Sequence, residues 1–313
     1  MNISDNILSW LLSGDPAIRW QTLRDLVHAD SSVIEREKQK TLSKGWGARL
    51  LAHRQASGMW AGGLYTPKWT STTYTLLLLR SIGLPAGDPR IIKSCMLLLD
   101  NGLYKDGGIN LFFSMKCSET CVTGMILAIL SYFQINDKRL ETLVRYLFKE
   151  QMPDGGWNCR AYRGATHSSF HTTISVLEGL RDYEKLQRPL SQRTKKYQQR
   201  AIEFLLQHRL FRSHRTSRII DSKIVRFSFP TRWHYDVLRA LDFFQECKVK
   251  HDNRLQDAIK LLQKKRTEDR RWLLQGVHSG KTFFEMEKPG QPSRWNSLRA
   301  LRVLQWYKGE NND

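Results

Sequence analysis

Cysteine is scarce: five in 313 residues, an odd number, suit free thiols better than a disulfide framework. Nine prolines and 20 glycines are too few for a fibrous or low-complexity chain. Disorder is excluded from the other side, by 10 Trp, 10 Tyr and 13 Phe within a 41% hydrophobic composition. Long apolar runs are missing too. The longest uncharged stretch, Thr120 to Asn136, is diluted by Thr, Ser, Tyr, Gln and Asn. It falls short of the roughly 20 apolar residues of a membrane span and reads as a buried helix. The opening MNISDNILSW has Asp5 where a secretory signal carries Lys or Arg, so the expectation is a cytoplasmic protein. Strand alternation is confined to SKIVRFSF and KTFFEME, and the fold class expected is all-α.

Charge is present in excess and of one sign. Fifty Lys and Arg against thirty Asp and Glu give +20, and the stretch Arg181 to Arg232 holds 14 basic and 4 acidic residues, net +10. Such a surface attracts phosphate groups on nucleic acid, anionic lipid or a diphosphate substrate. No nucleic-acid motif accompanies it, and aromatic residues do not alternate with the basic ones as in a base-stacking platform.

Repetition organises the chain. Five apolar helical segments, TSTTYTLLLLRSIGL, SETCVTGMILAILSYF, SSFHTTISVLEGLRDY, RWHYDVLRALDFF and SRWNSLRALRVLQWY, each follow an amphipathic helix and a glycine or tryptophan turn. The spacing is about 50 residues, widening to about 60 in the last two units. The expected organisation is one domain over 1–313, with a helical pair in 1–40 and repeats over 45–310. Ser71, Ser118 and Ser168 are the expected N-caps, and Pro153, Pro230 and Pro292 fall in the loops before the second helices. The second helices are apolar nearly all round, as an inner layer requires, whereas DKRLETLVRYLFKEQ is amphipathic and outer. Periodicity alone leaves an open solenoid and a closed ring as alternatives.

Tyr146, Leu147, Gln151, Gly155 and Trp157 resemble the QW motif of squalene and terpenoid cyclases. Arg200, Ala201, Phe204 and Leu205 match its opening, with Arg209 replacing its Gln, and Gln55, Gly58 and Trp60 match its close. The resemblance covers about residues 45 to 310 and implies an α/α toroid of five or six hairpins. In that architecture the inner-helix starts face a central cavity. This would place there Trp69, Thr72 and Thr73; Lys116, Glu119 and Cys121; His167, Ser168 and His171; Arg232, His234 and Asp236; and Arg294, Asn296 and Arg299. Trp69, Trp157, Trp233 and Trp295 would line part of it. Class II cyclases protonate an alkene with a DxDD acid, which is absent here, so that activity is not expected. The chain is also similar to the protein prenyltransferase β subunits. That likeness implies a zinc position at Glu119-Thr120-Cys121 and His171, with Lys116 as the diphosphate-binding lysine. Glu119 replaces the Asp of that pattern, Val122 stands in place of its tyrosine, and His171 is shifted by one residue.

Spacing points to a metal independently. Cys117 and Cys121 are four apart, as are His167 and His171, and Cys159 lies in the loop between their helices. The expected Zn(II) ligands are Cys121, Cys159 and His171, with Glu119, Cys117 and His167 in reserve. Such an ion would stabilise a thiolate or hydroxide, while Lys116, Arg232, Arg294 and Arg299 hold a substrate phosphate beside Trp69, Trp233 and Trp295. Without zinc, His171, His234, Asp236 and Glu119 are the candidates for acid–base work. His278, Lys281 and Glu285 belong to an 18-residue insertion that is either a lid reaching over the cavity or a loose surface loop. The leading functional expectation is an enzyme acting on an isoprenoid or phosphate-bearing substrate. The alternative is a non-catalytic basic toroid binding nucleic acid or an acidic partner.

Overall fold

The structure, a computed structural model, describes residues 4–112 and 114–309. Its helices in chain order are α1 (Asp5–Leu12), α2 (Pro16–Thr22), α3 (Ser31–Gln39), α4 (Gly45–Ala52), α5 (Thr72–Ser81), α6 (Pro89–Gly102) and α7 (Thr120–Tyr132). They continue as α8 (Arg139–Lys149), α9 (Phe170–Glu184), α10 (Ser191–Gln207), α11 (Val237–Glu246), α12 (Gln256–Lys264) and α13 (Arg294–Gly309). Patterning sorts them into two layers. Outer helix α8 buries one stripe, Leu140, Leu143, Val144, Tyr146 and Leu147, whereas inner helix α7 buries Thr120 and everything from Val122 to Ser131. Helices α7 and α9 touch backbone to backbone. A Cβ on Gly179 would stand 2.5 Å from the Gly124 carbonyl oxygen, so neither position has room for a side chain.

The hairpins close into a ring. Trp20 Nε1 and Gln21 Nε2 donate to the Ile82 carbonyl at 3.2 and 3.3 Å, joining α2 to the end of α5. At the other side Arg302 of α13 donates to Gln21 at 3.2 Å and pairs with Asp25 at 3.0 Å, and Arg294 Nε donates to the Trp10 carbonyl at 2.9 Å. The first and last units thus meet, which decides for the α/α toroid over an open solenoid. Helices α1 to α3 supply the segment that completes the circle.

One device recurs at three of the five hairpins. Trp60, Trp157 and Trp272 are fully buried, and each indole N–H donates to the carbonyl ten residues earlier, on Leu50, Leu147 and Leu262, at 2.7, 2.7 and 2.8 Å. Their backbone N–H groups donate to Thr72, Thr173 and Ser297 hydroxyls in the next inner helix, at 3.2, 3.0 and 2.9 Å. Each tryptophan therefore ties the end of an outer helix to the start of an inner one. Ile109 takes the same backbone bond, to Thr123 at 2.9 Å. Gln151 Nε2 reaches onward to the Tyr197 carbonyl of the next outer helix at 2.8 Å.

Ser71 is the N-cap residue of α5, although its hydroxyl donates to Tyr65 O. Ser118 and Ser168 lie one residue before the N-caps Glu119 and Ser169. Their hydroxyls donate instead to Asp106 and Asp154, the acidic residues of the two Asp-Gly-Gly turns. The only paired strands among the described residues are β1 (Trp272–Leu273) and β2 (Pro292–Ser293), antiparallel and outside both alternating segments. Among the described residues no helix is long and apolar enough to cross a membrane.

Candidate functional site

Two cavities meet at the ring axis. The larger, about 400 Å³, lies among inner helices α5, α7, α9, α11 and α13 and is walled by charge. Arg80 pairs with Asp182 at 2.6 Å and with Glu178 at 3.1 Å, and Arg239 pairs with Glu178 at 2.7 Å. Asp242 accepts from Arg302 at 2.5 Å and from Arg299 at 3.0 Å, and Arg181 joins Asp182 to Glu246. Burial would raise the Glu178 carboxyl, but Arg239 and Arg80 overcome it and hold the group at about 2. Apart from Arg299, these positions were not among the sequence candidates. The available signal was a charge inside an otherwise apolar helix, which is buried only when paired.

The smaller cavity, about 290 Å³, is lined by Trp69, Leu78, Phe229, Phe283, Phe284 and Met286. Its roof is the insertion after α12. Trp69 donates its indole N–H to Ser279 O at 2.8 Å and its backbone N–H to Lys281 O at 3.0 Å. Phe283 stacks on His53 at 4.3 Å, and the Arg49 guanidinium lies 3.7 Å from the Phe284 ring centre. Gly280 has φ of 142°, and a Cβ there would stand 2.7 Å from the Trp69 indole nitrogen. The roof is therefore packed onto the body rather than loose.

Arg232 lines both cavities. It is 8% exposed, enters no ion pair among the described residues, and its Nη1 has no hydrogen-bond partner among them. The guanidinium lies 5.5 Å from the centre of the Trp69 ring. Burial without a carboxylate pushes its pKa down to about 10. Arg299, 4% exposed, spends Nε on Asp242 and keeps a buried Nη1 without partner in the larger cavity. Buried guanidinium N–H groups with nothing to donate to are a ready-made anion site.

Three histidines gather beside Arg232. His234 stacks on His278 at 3.7 Å and on Trp233 at 3.7 Å, while the His171 ring lies edge-on to His234 at 5.7 Å. His171 Nδ1 accepts the Tyr235 N–H at 2.8 Å, and the buried His278 Nε2 has no partner among the described residues. Burial, with Arg239, Arg232, Lys68 and the other imidazoles adding repulsion, lowers His171 to about 4, His234 to about 3 and His278 to about 4. All three are neutral at pH 7. Because the folded values lie below the ordinary histidine value near 6.5, the unfolded chain takes up protons first. The stability contributed by the neutral cluster is thus full above about pH 6.5 and is lost as pH falls toward 4. Urea midpoints across that window should decline, and His234→Asn should flatten the decline. An equal slope in the variant would dissociate the cluster from it.

The other candidates separate. Asp236 is the N-cap of α11: Oδ1 accepts Arg239 N at 2.8 Å and Oδ2 accepts Ser228 N at 3.1 Å, and burial raises its pKa. Glu119, the N-cap residue of α7, is also raised by burial. Trp295 stacks on Phe229 at 4.4 Å in the cavity wall, whereas Trp157 is a hairpin pin and Arg294 holds α1 against α13. Thr72 and Thr73 donate to Gly63 and Leu64 carbonyls, and Lys116 and His167 are exposed. Asn296 donates to Leu273 O at 3.1 Å. Glu287, absent from the sequence candidates, lines the apolar cavity with a carboxyl raised by burial.

Cys121 and Cys159 do come together. The Cys121 thiol donates to Cys159, which lowers Cys159 and, with burial, raises Cys121. His171, the third zinc candidate, has turned its Nδ1 to Tyr235. Among the described residues no three His, Cys, Asp or Glu side chains are grouped to hold a metal ion.

No protein-family profile matches the chain, and no curated protein sequence matches it. Among solved structures, a variant of the type II terpene cyclase MstE from Scytonema, with geranylgeranyl dihydroxybenzoate bound, aligns with a TM-score of 0.47 and 15% identity, over 95% of this chain and 87% of that one. A protein from Actinoplanes aligns with a TM-score of 0.47 and 13% identity, over 94% and 90%. The apo form of MstE gives 0.36 and 13%, over 88% and 98%.

Proposed function

We propose that the protein is an enzyme of the terpenoid cyclase-like class that acts on an elongated apolar substrate with an anionic head, an isoprenoid acid or diphosphate. The observation that carries this reading is Arg232, a buried guanidinium without a carboxylate, placed where the polar and apolar cavities join. An anionic head bonded to Arg232 and to the free Nη1 of Arg299 would extend its chain along Trp69, Leu78 and Phe229 under the roof. The QW-like repeats support the isoprenoid class. Proton transfer falls to the groups that face the apolar cavity, the Glu287 carboxyl and the unpartnered Nε2 of His278.

Calorimetric titration with a prenyl diphosphate and with the corresponding prenyl alcohol tests it. Wild type should prefer the diphosphate by more than about tenfold, or about 1.4 kcal/mol, and Arg232→Met should abolish the preference. The same substitution should stabilise the free protein by about 0.5–2 kcal/mol, because it removes an unpaired buried charge. Equal affinity for the two ligands in wild type would refute the reading.

A further inference from the structure

Arg181 and Arg232 of the basic stretch face the central cavities, but the part of it in the loop between α10 and α11 does not, and there residues 214–223 are all exposed. On the loop's returning arm, opposite Arg212 and Phe211, stand Ile219 and Ile220, 48% and 45% exposed, between Arg215, Arg218 and Lys223. These three cations make no ion pair among the described residues, whereas Arg209 and Arg212 at the base are held by Asp257. The loop is braced rather than slack. Ser213 N donates to Arg218 O at 2.8 Å, Ile220 N to Phe211 O at 3.1 Å, and Arg212 Nη1 to Ser217 O at 2.9 Å. Two adjacent aliphatic side chains are therefore presented to solvent by a shaped backbone, beside three unpaired cations and one exposed carboxylate, Asp221.

The position of the loop matters. Every connection from an outer helix to the next inner helix lies on one face of the toroid, and this loop is joined to the roof insertion by Gln275 N to Phe227 O at 3.0 Å and Arg226 Nη2 to Gln275 O at 2.8 Å. Val277, 56% exposed, belongs to that insertion and lines the apolar cavity, so it marks a mouth on the same face. Tyr162, 48% exposed, is on the same side, in the loop between α8 and α9.

We propose that this face docks on an anionic lipid surface, with Ile219 and Ile220 entering the headgroup boundary and Arg215, Arg218 and Lys223 binding lipid phosphates. Exposed aliphatic residues beside unpaired cations match an interface that is apolar inside and negative at its edge. They match nucleic acid poorly, because isoleucine offers no ring for a base to stack on. The docking stands whether or not the cavity takes an isoprenoid. If it does, an apolar substrate passes from the lipid to the mouth at Val277 without crossing water.

The test is co-sedimentation of the full chain with vesicles of phosphatidylcholine alone and of phosphatidylcholine with phosphatidylserine. Wild type should bind the anionic vesicles, bind them less as salt rises, and leave the neutral ones. Ile219→Glu with Ile220→Glu should weaken binding at least tenfold, as should Arg215, Arg218 and Lys223 changed together to Ser, with unchanged circular dichroism in both. Wild type left in the supernatant at low salt, or either variant bound like wild type, overturns the proposal. So does duplex DNA binding more tightly than the vesicles and indifferent to the isoleucine changes, which would assign the loop to nucleic acid.

Discussion

Asp242→Ala is expected to lower the free energy of unfolding by about 3–5 kcal/mol. The carboxylate sits between Arg302 and Arg299, both about 5% exposed or less, and no other acid in the wall takes over both guanidinium groups. Glu246 lies 3.7 Å from Arg302, too far to replace a contact of 2.5 Å, and Asp25 is already engaged with Arg302 at 3.0 Å. Removing Asp242 therefore leaves the buried Arg299 without its carboxylate and Arg302 with Asp25 as its near one, and that desolvation cost dominates over the lost attraction. The effect should depend little on salt, since buried pairs are poorly screened. Urea unfolding checks it. Changing Asp242→Leu, Arg299→Met and Arg302→Leu together should recover much of the loss, because no orphaned charge then remains. A loss below about 1 kcal/mol for Asp242→Ala would mean that water enters the cavity and solvates the arginines, as at a surface pair.

Trp157→Ala should cost a similar amount, about 3–5 kcal/mol, for a different reason. The side chain is fully buried and its indole N–H satisfies the Leu147 carbonyl at the end of α8. Alanine removes the packing and leaves both a cavity and an unpaired carbonyl. Phenylalanine separates the two effects: Trp157→Phe retains most of the ring volume but loses the donor, and should cost about 1–3 kcal/mol for the stranded acceptor. Urea midpoints for the two variants, set beside Trp60→Phe and Trp272→Phe, give the comparison. A neutral Trp157→Phe would mean that the repeated indole bond contributes nothing and that the motif is held by volume alone.

These two residues also divide what was legible in the sequence from what was not. Trp157 could be read from the chain because its bonds are local: ten residues back to Leu147 and sixteen forward to Thr173. A helix, a turn and a helix with glycine at the bend give the same pattern wherever they recur, and neighbouring Asp-Gly-Gly turns repeat it. The caps were displaced by one residue because Ser118 and Ser168 found better acceptors in Asp106 and Asp154. Asp242 could not be read in that way. Its partners are 57 and 60 residues away, Arg80 and Asp182 are 102 apart, and Arg302 and Asp25 are 277 apart. Among the site candidates, Cys121 and Cys159 were brought together, whereas His171 was drawn to Tyr235 and then to His234 and His278.

The sequence by itself determined the all-helical class, the hairpin unit and the excess of positive charge, because short-range periodicity and turn chemistry specify each without reference to distant residues. The tertiary structure alone decided that the ring closes, that charge pairs at its axis, and that Arg232 remains unpaired between two cavities. Those outcomes depend on which side chains meet across the interior, and the meeting is fixed only once α13 has packed against α2.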